Sequence, residues 1–166
     1  MKDLTGLDGS HEEASNLTIH LVDESDFLFN YFVEHLYVWT FDFTIKSACD
    51  TITVAKLYAM VERFMADRFA AKLAHMFVWG HDSHNVKYSC GEIYDLLRIA
   101  YDSITKRNPE NPIRECIFQF AASNLAALRL YSPFRSFLMD NPELSVEICL
   151  RVGGTFNTSA FKIRPK

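Results

Sequence analysis

Long hydrophobic runs and a secretory leader are both missing from this sequence. No run of about 18 apolar residues occurs, which is the length that a membrane-spanning helix needs, and the opening residues MKDLTGLDGSHEEASN have neither the basic nor the apolar region of a signal peptide. The four cysteines are widely spaced and form no C-x-x-C pair, which favours reduced thiols over a disulfide framework. We therefore expect a soluble intracellular protein, cytoplasmic or nuclear, with no membrane partner.

Basic stripes and catalytic signatures are missing as well. The chain has 17 Lys and Arg against 21 Asp and Glu, mixed along its length, for a formal net charge of −4. A nucleic-acid-binding surface neutralises several phosphates with clustered basic side chains, so we exclude nucleic acid as a direct ligand. The sequence contains no G-x-S-x-G, H-E-x-x-H, P-loop or G-x-G-x-x-G motif. We predict that the protein is not an enzyme and has no cofactor and no small-molecule substrate.

One polar stretch, HDSHNVKYSC, carries the residue types of a metal site. His81 and His84 are three residues apart, and Cys90 follows them. Histidine and cysteine are the usual ligands of zinc. The same composition is typical of a polar turn whose side chains face water, and we favour that interpretation. We therefore predict no metal site, and a small metal-dependent enzyme built on these three residues is the less favoured alternative.

Apolar residues, by contrast, are plentiful. They make up 49% of the 166 residues, which is enough for one domain that buries about two-thirds of its unfolded surface. Apolar positions recur every three or four residues through most of the chain, which predicts amphipathic helices. The first predicted helix runs from Asp23 or Ser25 to about 37, and longer helices follow at about 51–66, 69–80, 89–104 and 111–128. Two short helices are predicted to begin at Ser132-Pro133 and at Asn141-Pro142, and Gly153-Gly154 is predicted to end the second of them. With LTIHLV at 17–22 as the one predicted strand, the predicted fold class is mainly α (α+β) with about seven helices.

Local signals mark two of the helix starts. Ser89 and Glu92 have the S-x-x-E spacing of a capping box. Asn111 is followed by Pro112, which is the N-cap and first-position pattern of a helix N-terminus. Within the 51–66 helix, Phe64 lies on the apolar stripe, and we expect its side chain to be fully buried.

The region from residue 27 to residue 43 holds more aromatic side chains than one helix face buries. They are Phe27, Phe29, Tyr31, Phe32, Tyr37, Trp39, Phe41 and Phe43. We expect most of them in the core and the remainder on the surface, where exposed aromatic clusters mark protein–protein contacts. The predicted strand at 17–22 would leave an open sheet edge, which favours pairing with another chain. We therefore expect a homodimer or another association here, with a monomer as the alternative if the lead-in or the loop at 40–50 covers the edge.

Two consecutive segments carry a resemblance to a known family. NLTIHLVDESDFLFNYFVEHLYVWTFDF followed by AKLYAMVERFMADRFAAKLAHMF resembles the C-terminal half of a BTB/POZ domain. Leu36-Tyr37 occupy the position of the family's Leu-Tyr-Thr-Gly-like turn, and LYAMVERF at 57–64 that of its Tyr-Ala-Leu-Ala-Asp-Lys-Tyr-like helix. The later run RECIFQFAASNLAALRLYSPFRSFLMDNPELSVEICLRV is similar to the helical extension of filamentous-fungal members.

The resemblance implies a domain organisation. It places a flexible lead-in at 1–15, a BTB/POZ-like core at 16–84, a C-terminal helical extension at 85–152 and a loose tail at 153–166. Val38-Trp39 occupy the place of the family's Thr-Gly, and the family's N-terminal strands and first helix have no counterpart. The implied fold is therefore an abridged BTB/POZ-like domain.

The function implied by the resemblance is that of a protein–protein interaction module with a scaffold or oligomerisation role. The alternative is a substrate adaptor of a cullin ubiquitin ligase. Family members that recruit a cullin use a hydrophobic-x-Glu motif and the Tyr of the turn, which correspond here to His11, Glu13 and Tyr37. Phe29 and Trp39 from the aromatic region complete the predicted partner-binding residues. The expected partners are other proteins, among them a second copy of this chain or a cullin.

Overall fold

The protein is mainly helical, which confirms the predicted fold class. The structure, a computed structural model, describes residues 25–38, 43–79, 86–104, 111–153 and 162–163. In these ranges the helices are α1 Asp26–Val38, α2 Ala48–Arg63, α3 Asp67–Trp79, α4 Cys90–Asp102, α5 Pro112–Ser123, α6 Leu125–Leu128, α7 Ser132–Asp140 and α8 Pro142–Cys149, and the strands are β1 Lys87–Tyr88 and β2 Lys162–Ile163.

Helices α2 and α5 organise the core. Helix α2 packs against α1, α3 and α4, and α5 packs against α3, α4 and α8. The largest fully buried aromatic side chains are Tyr88, Phe69, Phe77, Phe118, Phe120 and Phe134. They belong to one hydrophobic cluster that includes residues from both sides of the predicted boundary at 84/85. The two predicted parts of the chain therefore share a core.

The two short strands form a parallel pair. Lys87 lies opposite Lys162, and Tyr88 lies opposite Ile163. Neither strand was predicted, because two residues are too few to show the alternation of a strand. The hydroxyl groups of Tyr88 and Thr51 are 2.7 Å apart in a buried hydrogen bond, which attaches β1 to α2. The strand predicted at 17–22 lies outside the described residues.

Helix α2 begins earlier than its apolar pattern predicts. The Ser47 hydroxyl accepts a 3.2 Å hydrogen bond from the Asp50 N–H, and the Asp50 carboxylate accepts a 2.9 Å bond from the Ser47 N–H. This is a capping box with Asp in the place of the usual Glu or Gln. The helix therefore starts at Ala48, about one turn before the predicted start at 51.

The turn between α2 and α3 has the geometry that is usually built on glycine. Met65 lies in the left-handed region with φ 54°, and its N–H donates to the Glu62 carbonyl while the Ala66 N–H donates to the Val61 carbonyl. These two bonds define a Schellman motif. An L side chain in this region is strained. The turn after α2 therefore holds Met65 in a conformation that glycine would adopt at lower cost.

The prediction that Phe64 is fully buried is wrong. Helix α2 ends at Arg63, and Phe64 is its C-cap residue. Its side chain is half-buried and packs against the edge of the core. The reason is the turn: a side chain at the end of a helix has neighbours on fewer sides than one in the middle.

The helix starts predicted at Ser89 and Asn111 are both confirmed. Ser89 and Glu92 form the capping box of α4, with the Ser89 N–H donating to the Glu92 carboxylate at 2.6 Å. The Asn111 side chain caps α5 by accepting from the Arg114 N–H at 3.1 Å, and Pro112 is the first helical residue.

The C-terminal helices differ from the prediction at their ends. Helix α5 ends at Ser123, before the predicted 128, because the Asn124 amide donates to the Phe120 carbonyl at 2.8 Å and the short α6 follows. Asn141 makes no side-chain cap to α8, and its amide instead donates to the Phe137 carbonyl of α7. Helix α8 ends at Cys149, four residues before Gly153, so the prediction that the glycine pair ends it is wrong.

Candidate partner-binding surface

Helix α1 turns one aromatic face towards the core. Phe32 is buried, and its ring stacks on that of Phe64 with the centroids 5.1 Å apart. Phe29, one turn earlier, is half-buried and lies within 6.3 Å of the Phe64 ring centroid. Aromatic pairs of this kind contribute about 0.5–1.5 kcal/mol beyond the area they bury. This face therefore anchors α1 on the end of α2.

A second aromatic row on α1 lies nearer the solvent. Phe27 and Tyr31, four residues apart, meet edge to face with ring centroids 5.0 Å apart. Tyr31 makes the same kind of contact with Phe43 at 5.8 Å. Phe27 remains 59% exposed. Of the described aromatic side chains in this region, one is buried, three are half-buried and two are exposed, whereas Trp39 and Phe41 lie outside the described residues.

A cleft of about 330 Å³ lies between the C-terminal end of α1 and the start of α3. Its lining residues are His35, Leu36, Ala66, Asp67, Arg68 and Phe69. The imidazole of His35 stacks on the buried ring of Phe69, with 3.9 Å between the centroids. Desolvation and, next, the positive charge of Lys72 lower the pKa of His35, which favours the neutral imidazole. The lining of the cleft therefore combines this pair of rings with the charged side chains of Asp67 and Arg68.

Exposed apolar side chains line this cleft or adjoin its lining residues in the chain. Tyr37 is 83% exposed, Leu36 is 50% exposed, and Met65, which precedes the lining residue Ala66, is 75% exposed. Together with the cleft they form what we call the α1–α3 surface. Exposed apolar side chains that cluster around a concave site are typical of protein-binding surfaces. The tyrosine adds a hydroxyl that hydrogen-bonds while the ring is buried.

The predicted partner-binding residues have different positions. Tyr37 is on the α1–α3 surface and not in the core. Phe29 is half-buried and packs against the core, so its ring offers little area to a partner. His11, Glu13 and Trp39 lie outside the described residues. The structure thus brings Tyr37 to a candidate site and uses Phe29 mainly for packing.

Two residues of this surface were not predicted to belong to a binding site. Leu36 follows the helical spacing of the apolar residues on α1, which favours a core position. Met65 lies in the turn MADRF, where the only available signal is that a tight turn contains no Gly or Pro. Their exposure depends on how α1 meets the α2–α3 hairpin, which the spacing of apolar residues does not encode.

The metal-site alternative has only one of its three residues in the described ranges. Cys90 is the first residue of α4 and is half-buried, whereas His81 and His84 lie outside these ranges. Among the described residues, no group of three His, Cys, Asp or Glu side chains is arranged to hold a metal ion.

None of the described helices combines the length and the apolar composition that a membrane-spanning helix requires.

Comparisons with known proteins add no relative. No protein-family model matches this chain, no curated protein matches it significantly, and no solved structure does so either. The resemblance to BTB/POZ domains therefore stays a prediction that rests on the residues quoted above.

Proposed function

We propose that this chain is a protein–protein interaction module that binds its partner through the α1–α3 surface. The observation that carries the proposal is the position of Tyr37, which is 83% exposed and next to Leu36 at the edge of the cleft. Tyrosine is enriched among the residues that contribute most to binding energy. A partner side chain that enters the cleft would contact the imidazole of His35 and the side chain of Leu36 while the partner covers Tyr37.

The resemblance to BTB/POZ domains supports the same class of function. A scaffold or oligomerisation role needs an apolar surface that a second protein covers, and the α1–α3 surface offers one. Its partner is either a second copy of this chain or a different protein. Both need the same contact residues, so one set of variants tests both.

The exposure of Tyr37 also favours a second candidate function, that of a substrate adaptor for a cullin ubiquitin ligase. In cullin-recruiting family members the tyrosine of the turn contributes to the contact, and a tyrosine buried in the core would not be available for it. His11 and Glu13, the other two positions implied by the resemblance, lie outside the described residues. The structural support for this candidate is therefore Tyr37.

The test compares Tyr37→Ala with Trp79→Ala. Trp79 is a matched control, since it is 62% exposed at the opposite end of α3, about 18 Å from the helix start at 1.5 Å per residue. Self-association is measured by light scattering at micromolar concentration, and binding to a purified cullin is measured by pull-down. Both substitutions are at the surface, so thermal unfolding should change little.

We expect Tyr37→Ala to weaken self-association or cullin binding while Trp79→Ala leaves both unchanged. If the wild-type chain is monomeric and binds the cullin, and if Tyr37→Ala abolishes that binding, the adaptor role is selected. Two results together would contradict the proposal. The wild-type chain would be monomeric, and quantitative proteomics would identify the same bound proteins for Tyr37→Ala and Trp79→Ala.

A further inference from the structure

The last three helices of the described residues border a second and larger groove. Its volume is about 720 Å³, against about 330 Å³ for the cleft of the α1–α3 surface. We call it the C-terminal groove, and its lining residues are Ala126, Arg129, Leu130, Arg135, Leu138, Met139 and Ser145. They come from α6, α7, α8 and the turn after α6, so the groove lies apart from α1 and the α2–α3 turn.

The C-terminal groove exposes large apolar side chains. Leu130 is 84% exposed and Met139 is 82% exposed, while Leu138 is half-buried against the core. Five of the ten exposed large hydrophobic side chains among the described residues lie between 130 and 152. Such a concentration marks this end of the protein as a contact surface. The flexible thioether side chain of Met139 adapts to differently shaped partners.

The charge of the groove has one sign. Arg129 and Arg135 are exposed lining residues, and none of the described residues that line the groove is acidic. Within the described ranges neither arginine forms an ion pair, whereas Arg114 and Arg151 each pair with a glutamate. Acidic residues outnumber basic ones in this chain, 21 to 17, yet the described ones form no ion pair with these two arginines. A partner that brings carboxylates would complement the two arginines.

The frame of the groove is held by buried contacts. Phe134 of α7 and Leu144 of α8 are fully buried. The Arg114 guanidinium donates to the Glu147 carboxylate of α8 at 2.6 Å and to the Ala100 carbonyl of α4 at 2.6 Å. Arg151 donates to the Glu115 carboxylate of α5 at 2.7 Å. A groove with a fixed frame loses less conformational freedom when it binds a partner.

The geometry points to one kind of occupant, an acidic amphipathic helix of a partner protein, and we propose that the C-terminal groove binds it. A small molecule needs a site that covers about 70–90% of its surface, and side chains as exposed as Leu130 and Met139 do not provide this. An added strand needs a free sheet edge, and the lining elements are helices and a turn. A helix with apolar residues at i, i+3/i+4 and i+7 fits an open apolar groove, and carboxylates beside that stripe would reach Arg129 and Arg135.

The test is a selection followed by a binding measurement. A library of helical peptides with a fixed apolar stripe and random flanking charges is displayed on yeast and selected against the labelled full chain. Enriched peptides are then synthesised and titrated by fluorescence anisotropy against the wild type, Arg129→Glu/Arg135→Glu, Met139→Glu and the control Arg98→Glu. Arg98 is an exposed arginine of α4 that lines neither the groove nor the cleft of the α1–α3 surface, and circular dichroism checks that every variant is folded.

We expect the enriched peptides to carry Asp or Glu beside the apolar stripe. The double arginine variant and Met139→Glu should each weaken binding by about tenfold or more, since each removes a contact and adds a repulsive or desolvated charge. Arg98→Glu should leave the Kd within about twofold.

Several results would overturn the proposal. Enrichment of basic or neutral peptides, or of none, would do so, as would acidic peptides whose affinity is the same for all variants. A dimer of the wild type that Met139→Glu dissociates would assign the groove to a second copy of this chain. Binding to phosphatidylserine vesicles that the arginine variant abolishes, without peptide binding, would assign it to a membrane surface. The α1–α3 surface is unaltered in the groove variants, so these results are independent of the proposed function.

Discussion

The side-chain amide of Asn111 donates a 2.9 Å hydrogen bond to the hydroxyl of Tyr58, 53 residues earlier in the chain. The same amide donates to the Glu62 carboxylate at 2.7 Å, and its carbonyl oxygen accepts from the Arg114 N–H. Asn111 is 1% exposed. One side chain thus caps α5 and joins it to α2, with both amide hydrogens and the carbonyl oxygen bonded inside the protein.

Replacement of Asn111 by Ala should therefore be strongly destabilising. The variant loses the helix cap and leaves Tyr58 and Glu62 without their shared donor, for a total of about 2–3 kcal/mol of unfolding free energy. Tyr58→Phe, which removes only the hydroxyl, should lose about 1–1.5 kcal/mol. Urea unfolding of both variants measures these losses. A loss below about 1 kcal/mol for Asn111→Ala would mean that the network contributes little.

Replacement of Met65 by Gly should stabilise the protein. The left-handed φ of 54° strains a residue that has a Cβ by about 1–2 kcal/mol, and glycine removes this strain while it adds about 0.5–1 kcal/mol of unfolded-state entropy. The net gain should be about 0.5–1 kcal/mol in urea unfolding. Met65→Val is the matched control and should be destabilising, because a β-branched side chain tolerates this region worst. Equal effects of Gly and Val would disagree with the Schellman turn.

Two phenylalanines, Phe64 at the end of α2 and Phe69 in α3, test how deeply each side chain is buried around the turn between these helices. Phe69 is 2% exposed and Phe64 is half-buried. Phe69→Ala should lower the unfolding free energy by about 3–5 kcal/mol, and Phe64→Ala by about half as much, because less of its surface leaves water on folding. Chemical denaturation of both variants gives the comparison. A larger loss of unfolding free energy for Phe64→Ala than for Phe69→Ala would contradict the finding that Phe69 is the more deeply buried of the two.

The protein should lose stability in alkaline solution. Burial raises the pKa of Cys116 from 9.0 to about 12, and burial also raises the pKa of Tyr58 and Tyr88 above their usual 10.0. A raised folded-state pKa means that the unfolded chain releases the proton first. The stability is therefore present below about pH 9 and is lost as the pH rises from there, at up to about 1.4 kcal/mol per pH unit for each proton.

Urea midpoints measured at several pH values between 8 and 11 check this loss. In Cys116→Ala the fall between pH 9 and pH 10 should be smaller, because one of the three groups is gone. Midpoints that stay constant across this range would contradict the burial of all three groups.

The thiols should differ in reactivity. Cys49 and Cys149 are exposed, and Cys116 is buried with a raised pKa, so it holds little of the thiolate that reacts. Titration with a thiol reagent at pH 8 should modify Cys49 and Cys149 rapidly and Cys116 only after unfolding in denaturant. Mass spectrometry of the peptides identifies each site. Early modification of Cys116 in the folded protein would be inconsistent with its position in the core.

The local chemistry of a few residues predicted much of the fold. Ser89 with Glu92 and Asn111 with Pro112 specify helix starts, because a cap and a first-position proline act within one turn. Ser47 with Asp50 caps α2 by the same mechanism. A search for a capping box with Glu or Gln at the N3 position misses this pair, because its N3 residue is Asp. The left-handed turn at Met65, after the end of α2, was not predictable from local preference, since methionine disfavours the conformation that the packed hairpin imposes on it.

The candidate site was predictable only in part. The resemblance pointed to Tyr37, and the density of aromatic residues predicted that some of them would be exposed. The cleft beside Tyr37 depends on the approach of α1 to the start of α3, and the C-terminal groove depends on the arrangement of three short helices. Neither arrangement follows from the periodicity of any one element.

By itself, the sequence determined that the chain forms amphipathic helices and where several of them begin, because apolar periodicity and caps are interactions over three or four residues. Only the tertiary structure decided which apolar side chains lose contact with water. Leu36 lies one helical turn after the buried Phe32, yet it is 50% exposed at the edge of the cleft. The reason is physical: burial depends on which distant segment covers a side chain, and that is set by the packing of the whole core.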